Sequence, residues 1–408
     1  MRTEYRPSRL LRGHRYLLLP VLWLALVGPG QADTQRLQQT AASPGSPGAA
    51  LTFSADTSPP LGLPPMAVPE ENPPTRAKIE LGKKLFFDRR LSFNRTLSCA
   101  MCHIPEQGFT QNELRTPVGV EGRFVGRNAP SLYNVGYRRH LFHDGRENSL
   151  ENQIWQPLLK TNEMANPSVG FVLATVREAA DYNGLFEKAF GRGPTMESLG
   201  RALASYQRTL VSAGSPFDRW YFGRDEQAMG ERARRGFALF MSSGCSGCHT
   251  IGTDHALFTD DGFHDTGIGY ARAMLPDTTG PSTVRLAPGV EVVPAVNLAM
   301  PVANDLGRYE ATGRAQDRWL YLTPSLRNVA LSAPYMHDGS FPDIASVLRF
   351  YNSGAVPHPG LDPRLRPLGL TPEQLLDLES FLLALTGDNT QQLARDGRLA
   401  EIGDSGVQ

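Results

Sequence analysis

Cysteine is scarce in this chain, with four in 408 residues, and a disulfide framework belongs to smaller, loop-rich domains. An excess of either charge is missing too. The 41 basic residues balance 41 acidic ones, so composition implies no partner such as nucleic acid or an anionic membrane surface. Long apolar runs are also lacking. The one near the N-terminus, Tyr16 to Val27, is interrupted by Pro20 and is too short to span a bilayer comfortably. It follows Arg2, Arg6, Arg9, Arg12 and Arg15 and precedes Gly28-Pro29-Gly30-Gln31-Ala32. That order is expected of a secretory signal peptide, residues 1–32, cleaved after Ala32. Residues 33–75, rich in Ser, Pro, Gly and Ala, are expected to form a flexible tether. The length suggests two or three domains.

All four cysteines fall in two copies of one motif, Cys99-Ala-Met-Cys102-His103 and Cys245-Ser-Gly-Cys248-His249. Cys-x-x-Cys-His is the attachment signature of a covalent c-type haem. The thiols add across the vinyl groups and the histidine supplies a proximal imidazole to the iron. A structural zinc site would need a second ligand pair at finger-like distance, whereas about 140 residues separate the two motifs. Two haems are therefore expected, with His103 and His249 as iron ligands. Haem attachment of this kind takes place outside the bacterial cytoplasm, in agreement with the leader, so the periplasm is the expected location.

The chain also repeats itself. Pro130-Ser131-Leu132-Tyr133-Asn134-Val135 and His143-Asp144-Gly145 return as Pro324-Ser325-Leu326-Arg327-Asn328-Val329 and His337-Asp338-Gly339, at a constant offset of 194. A mostly α fold follows, with two cytochrome c-like domains, residues 76–225 and 226–390, packed across an interface and followed by a tail, 391–408. Helices are expected from Thr75 into the first motif, over Arg232 to Met241, over Met196 to Ser212, over Ile344 to Tyr351, and after the capping sequence Thr371-Pro372-Glu373-Gln374. Between His249 and Thr323 lies a Gly/Pro-rich stretch longer than structureless loops usually are, which suggests a functional or haem-covering role.

Several further segments carry a family resemblance. They are His103-Ile-Pro-Glu-Gln-Gly-Phe-Thr110, Arg127-Asn128-Ala-Pro-Ser-Leu, Phe142-His143-Asp-Gly-Arg146, Asn162-Glu163-Met164, Leu210-Val-Ser-Ala-Gly-Ser-Pro-Phe-Asp218 and Pro334-Tyr-Met-His-Asp-Gly-Ser340. With these, residues 76 to 390 resemble the bacterial dihaem cytochrome c peroxidase and MauG superfamily. The resemblance implies a second-haem distal ligand fourteen residues beyond His337, which is Tyr351. Peroxidases carry Met there and MauG carries Tyr, a hard anionic ligand that favours oxidised iron. If Tyr351 were only a core aromatic, Met300 or Met336 would be the ligand.

Subtracting the offset from Tyr351 gives Pro157, which cannot ligate iron, and no histidine occurs between His103 and His140, where the resemblance implies one in the peroxidases that rest with a blocked first haem. The first haem is therefore expected to be open. Resemblance further implies Glu163 and Gln153 as the groups that assist peroxide cleavage over that haem, the alternative being a solvated acid and a surface amide. It implies a calcium ion bridging the domains at Asn128, Ser332 and Pro334.

The chain departs from its relatives at His143, where they carry an inter-haem Trp. Imidazole is a poor one-electron relay, so Tyr133, Tyr137 or Trp155 would have to serve. His143 itself is expected to orient its neighbours or to couple proton movement to electron transfer. The implied activity is use of hydrogen peroxide to reach an oxidised state shared by both haems, which then oxidises a residue of a partner protein, Trp by resemblance to MauG and MbnH-type enzymes. A detoxifying cytochrome c peroxidase fed by a small cytochrome or cupredoxin, and a non-catalytic electron-transfer cytochrome, are the alternatives.

Overall fold

In a computed structural model, residues 58–274, 284–287, 290–292 and 304–398 are described. The leader, most of the tether, Met300 and the last ten residues lie outside them. No helix among the described residues is long and apolar enough to cross a membrane.

Two helix pairs organise the molecule. In the first, Arg76–Phe87 packs against Met196–Gln207. Thr75 caps the former through the Lys78 amide, and a reciprocal Thr195/Ser198 box caps the latter. In the second, Glu231–Ser242 packs against Pro372–Leu383, which opens with the Thr371/Gln374 box expected from sequence. Each pair crosses at a glycine. A Cβ on Gly82 would lie 1.9 Å from the Ala202 carbonyl oxygen, and one on Gly236 would lie 1.9 Å from that of Asp377. Backbone blocks both sites, so the helices would have to separate. Gly82→Ala should cost about 1–3 kcal/mol as overpacking, seen as a lowered midpoint in thermal unfolding of the haem-loaded protein.

The Met196 helix ends at Gln207, short of the Ser212 expected. Side chains capture the backbone beyond it: the Thr209 hydroxyl donates to the Tyr206 carbonyl, and Asn134 brackets Ser212 by accepting from its amide and donating to its carbonyl. Such local bonds compete with helix continuation.

Two apolar clusters form around these pairs. Leu85, Phe86, Phe109, Leu158, Phe186, Leu199 and Leu203 lie in one, and Phe217, Phe240, Phe258 and Phe381 in the other. The helix Thr390–Arg398 returns to the first cluster through buried Leu393, and that stretch packs on Pro105–Gln107. The later part of the tether is likewise held. Leu63 and Asn72 are buried, Asn72 Nδ2 donates to Glu151, and Arg327 binds both the Gly62 carbonyl and the Asp218 carboxylate.

The two His-Asp-Gly motifs meet. The Asn128 amide donates to the His337 carbonyl at 2.7 Å, and the Leu322 amide donates to the His143 carbonyl at 2.7 Å. Donors 194 positions apart thus serve acceptors 194 positions apart. The sheet content is slight. Phe263–His264 pairs antiparallel with Tyr321–Leu322, and Val284–Ala287 with Val290–Val292.

Candidate haem sites

The first motif spans a one-turn helix, Cys99–Cys102, and the second a tight turn, Cys245–Gly247. All four thiols are half-buried and unpaired. Burial pushes the Cys99 thiol up to about 12 and those of Cys102 and Cys245 up to about 11. Each histidine is held by one ring nitrogen. His103 Nδ1 lies 3.0 Å from the Phe109 carbonyl oxygen and His249 Nδ1 lies 2.9 Å from that of Phe258. A carbonyl can only accept, so Nδ1 carries the proton and Nε2 keeps a lone pair, the tautomer an iron ligand needs. Burial pushes both imidazoles down, away from the charged form. Thiols, tautomer and spacing fit two covalent haems. Cys248 also lies within reach of Asp260 and His264, and as a motif cysteine it places that polar cluster beside the second attachment point.

Glu163 sits beside the first motif, close enough that its charge raises the Cys102 thiol further. Its turn is pinned from several sides. The Val120 amide donates to the Glu163 carbonyl at 2.9 Å, Arg123 binds the Thr161 carbonyl, and Asn162 Nδ2 donates to the Phe124 carbonyl. Lys160 pairs with the carboxylate at 3.1 Å. Gln153 ends the short helix Leu150–Gln153 and is half-buried. Pro157 follows in Trp155–Leu159, its carbonyl accepting from the Met164 amide on the turn that carries Glu163.

Tyr351 lies on the helix Ile344–Asn352. Its phenol resists ionisation, chiefly through burial and then through the nearby Cys248 and Cys245 thiols. That coupling sets Tyr351 beside the second motif. Met336 sits next to His337, with a left-handed backbone.

His143 and His337 are close enough to influence each other electrostatically. His143 Nε2 donates to the Asn128 carbonyl at 2.9 Å, and burial pushes its imidazole down to about 4. It is therefore neutral near pH 7 and suited to orienting rather than to carrying a proton. His337 is buried, its Nε2 has no hydrogen-bond partner, and burial pushes it too down to about 4. Its ring stacks on Tyr321 with centroids 3.7 Å apart. Of the proposed calcium residues, Asn128 is tied to the segment that holds the other two through its bond to His337. Its Nδ2 donates to the Arg115 carbonyl, and Ser332 Oγ donates to the Val329 carbonyl.

The suggested substitutes for the missing Trp differ in setting. Tyr133 and Trp155 are buried in the first cluster, Tyr133 Oη donating to the Thr390 carbonyl, and Tyr137 is half-buried, with burial pushing its phenol up to about 12. Sequence reasoning missed Tyr321. The repeat held the signal, since adding 194 to Arg127 reaches Tyr321, and the two side chains face each other with the guanidinium 6.0 Å from the ring centroid.

Comparison with known proteins agrees with this arrangement. A family model described as di-haem cytochrome c peroxidase matches residues 76–226. The methylamine utilization protein MauG of Methylorubrum extorquens is 35% identical over 328 residues, covering 78% of this chain and 81% of the relative. The chain belongs to the di-haem cytochrome c peroxidase and MauG family. It is accordingly a peroxide-dependent oxidoreductase with two haem groups. The cytochrome-c peroxidase IdrP1 of Denitromonas iodatirespirans is also 35% identical, over 80% of this chain and 86% of the relative. The fold of this family member also resembles the crystal structure of a MauG-like protein associated with microbial copper homeostasis, with TM-score 0.67, 27% identity, and coverage of 83% of this chain and 97% of that one.

Proposed function

We propose that this protein is a periplasmic MauG-like enzyme in which hydrogen peroxide reacts at an open first haem and the oxidising equivalents leave to a residue, Trp by analogy, of a partner protein. The observation that carries this reading is the contrast at one repeat position. Tyr351 stands beside the second cysteine pair, while its counterpart 194 residues earlier is Pro157, which offers iron no ligand.

His103 and His249 would hold the two irons from the proximal side, and Tyr351 would close the second from the other. The haems supply reversible one-electron chemistry at iron when bound. Glu163 would take the proton from one peroxide oxygen and return it to the other, and Gln153 would donate a hydrogen bond to the departing oxygen. The pinned turn of Glu163 serves that role by fixing the carboxylate before peroxide arrives. His143 and His337 would orient the space between the two halves. Asn128, Ser332 and Pro334 would offer a side-chain oxygen and two carbonyls to a calcium ion, a hard cation that accepts such donors. We place the haem domains at 76–225 and 226–390, behind a cleaved leader.

Electron paramagnetic resonance of the resting ferric protein tests this. One high-spin and one low-spin haem are expected in equal amounts. Two low-spin signals without a high-spin one would favour the electron-transfer reading and remove the open site.

A further inference from the structure

The residues around Tyr321 supply something the motifs do not. Tyr321 lies flat on His337, at 3.7 Å and an interplanar angle of 12°, at the meeting of the two His-Asp-Gly motifs. A Cβ built on Gly269 would lie 2.9 Å from both Trp319 Cδ1 and Tyr321 Oη, so the absent side chain lets these two rings approach across it. Beyond, Trp319 meets Tyr270 edge to face at 5.2 Å, and Tyr270 stacks on His358 at 4.3 Å. Tyr270 and Trp319 are half-buried, each keeping part of its surface open to solvent. Oxidisable rings therefore run from the seam between the two halves to the surface, beginning where the usual Trp is replaced by a neutral, poorly oxidisable imidazole.

We propose that Tyr321, Trp319 and Tyr270 form an electron relay that joins the seam between the halves to the protein surface. The proposal rests on the peroxide chemistry proposed above. Reduction of one hydrogen peroxide to two waters draws two electrons and two protons, and the relay passes the electrons inward one at a time.

When Tyr321 gives up an electron its hydroxyl must release a proton, and that proton passes to the carboxylate of Asp305, the residue whose carbonyl accepts from Oη at 3.2 Å. The proton returns to the phenolate oxygen when Tyr321 takes an electron from Trp319. Asp305 is held ionised for this. Burial works against its charge, but the Arg127 guanidinium, bound through two nitrogens, overrides it and holds the acid at about 2. The Trp319 indole N–H is buried without a partner, so Trp319 keeps its proton and carries the hole as a radical cation. An electron from Tyr270, or from a partner residue docked there, then refills it.

Peptide mapping by mass spectrometry tests the relay in the haem-loaded protein treated with peroxide and no donor. An oxidised ring then adds oxygen from water, losing two electrons and two protons in total. Wild type should gain oxygen at Trp319 and Tyr270. Tyr321→Phe should lose those modifications and gain them on residues of the first half such as Met164, while Tyr321→Trp, oxidisable but lacking the phenol, should restore them. Restoration by Trp and not Phe separates electron relay from mere support of the fold. Should Tyr321→Phe fail to load haem, Trp319→Phe carries the test: modification at Tyr270 is lost, while a tyrosine radical that narrows on ring deuteration persists at Tyr321. An unchanged pattern in both variants overturns the relay. Peroxide left unconsumed by the wild type overturns the proposed function, and the relay with it.

Discussion

Glu163→Gln is expected to slow the reaction with peroxide by about 10²–10⁴-fold, the usual worth of general acid–base assistance. The amide keeps the shape and polarity of the carboxylate but cannot carry a proton from one peroxide oxygen to the other. The fold should not suffer. Glu163 is held through its backbone, by the Val120 amide and the turn from Lys160, and its side chain has one ion pair, to a half-exposed lysine at 3.1 Å. Haem content and the spectrum of the resting protein should match wild type, while the rate in rapid mixing falls. An unchanged rate would make Glu163 a solvated acid paired with Lys160.

The second large effect belongs to Tyr351. Tyr351→Phe should abolish the low-spin signal of the second haem and leave the high-spin signal of the first as it was. The bare phenol resists ionisation because it is buried beside two thiols. A cationic iron at that place reverses the balance, because a nearby positive charge favours the anionic form. Phenylalanine fills the same volume in the Ile344–Asn352 helix, so packing against Phe350, 5.2 Å away between ring centroids, should survive. A low-spin signal that persists would mean that another side chain closes the second haem.

Much of this was legible in the sequence because it is encoded locally. Cysteine motifs and capping boxes such as Thr371/Gln374 depend on residues near one another in the chain. The helix from Met196 ran shorter than its apolar stripe, because Asn134, remote in sequence, takes the backbone of Ser212. The tether was misleading for a similar reason: its composition is that of a linker, yet Leu63 and Asn72 are buried by contacts from later in the chain. At His143 the sequence showed a departure but not its setting. Burial, which no motif reports, pushes the imidazole down to about 4 and favours an orienting part over a proton-carrying one. Tyr321 was reachable from Arg127 by the repeat, yet its stacking on His337 depends on how the two halves meet.

The most direct measurement is rapid mixing of the fully ferric, haem-loaded protein with one equivalent of hydrogen peroxide and no reductant. If Pro157 leaves the first haem open, as proposed, peroxide should be consumed at once, with a spectral change at both haems and no prior reduction. A protein inert to peroxide until one haem has been reduced would contradict the open site and return the chain to the peroxidases that rest with their first haem closed.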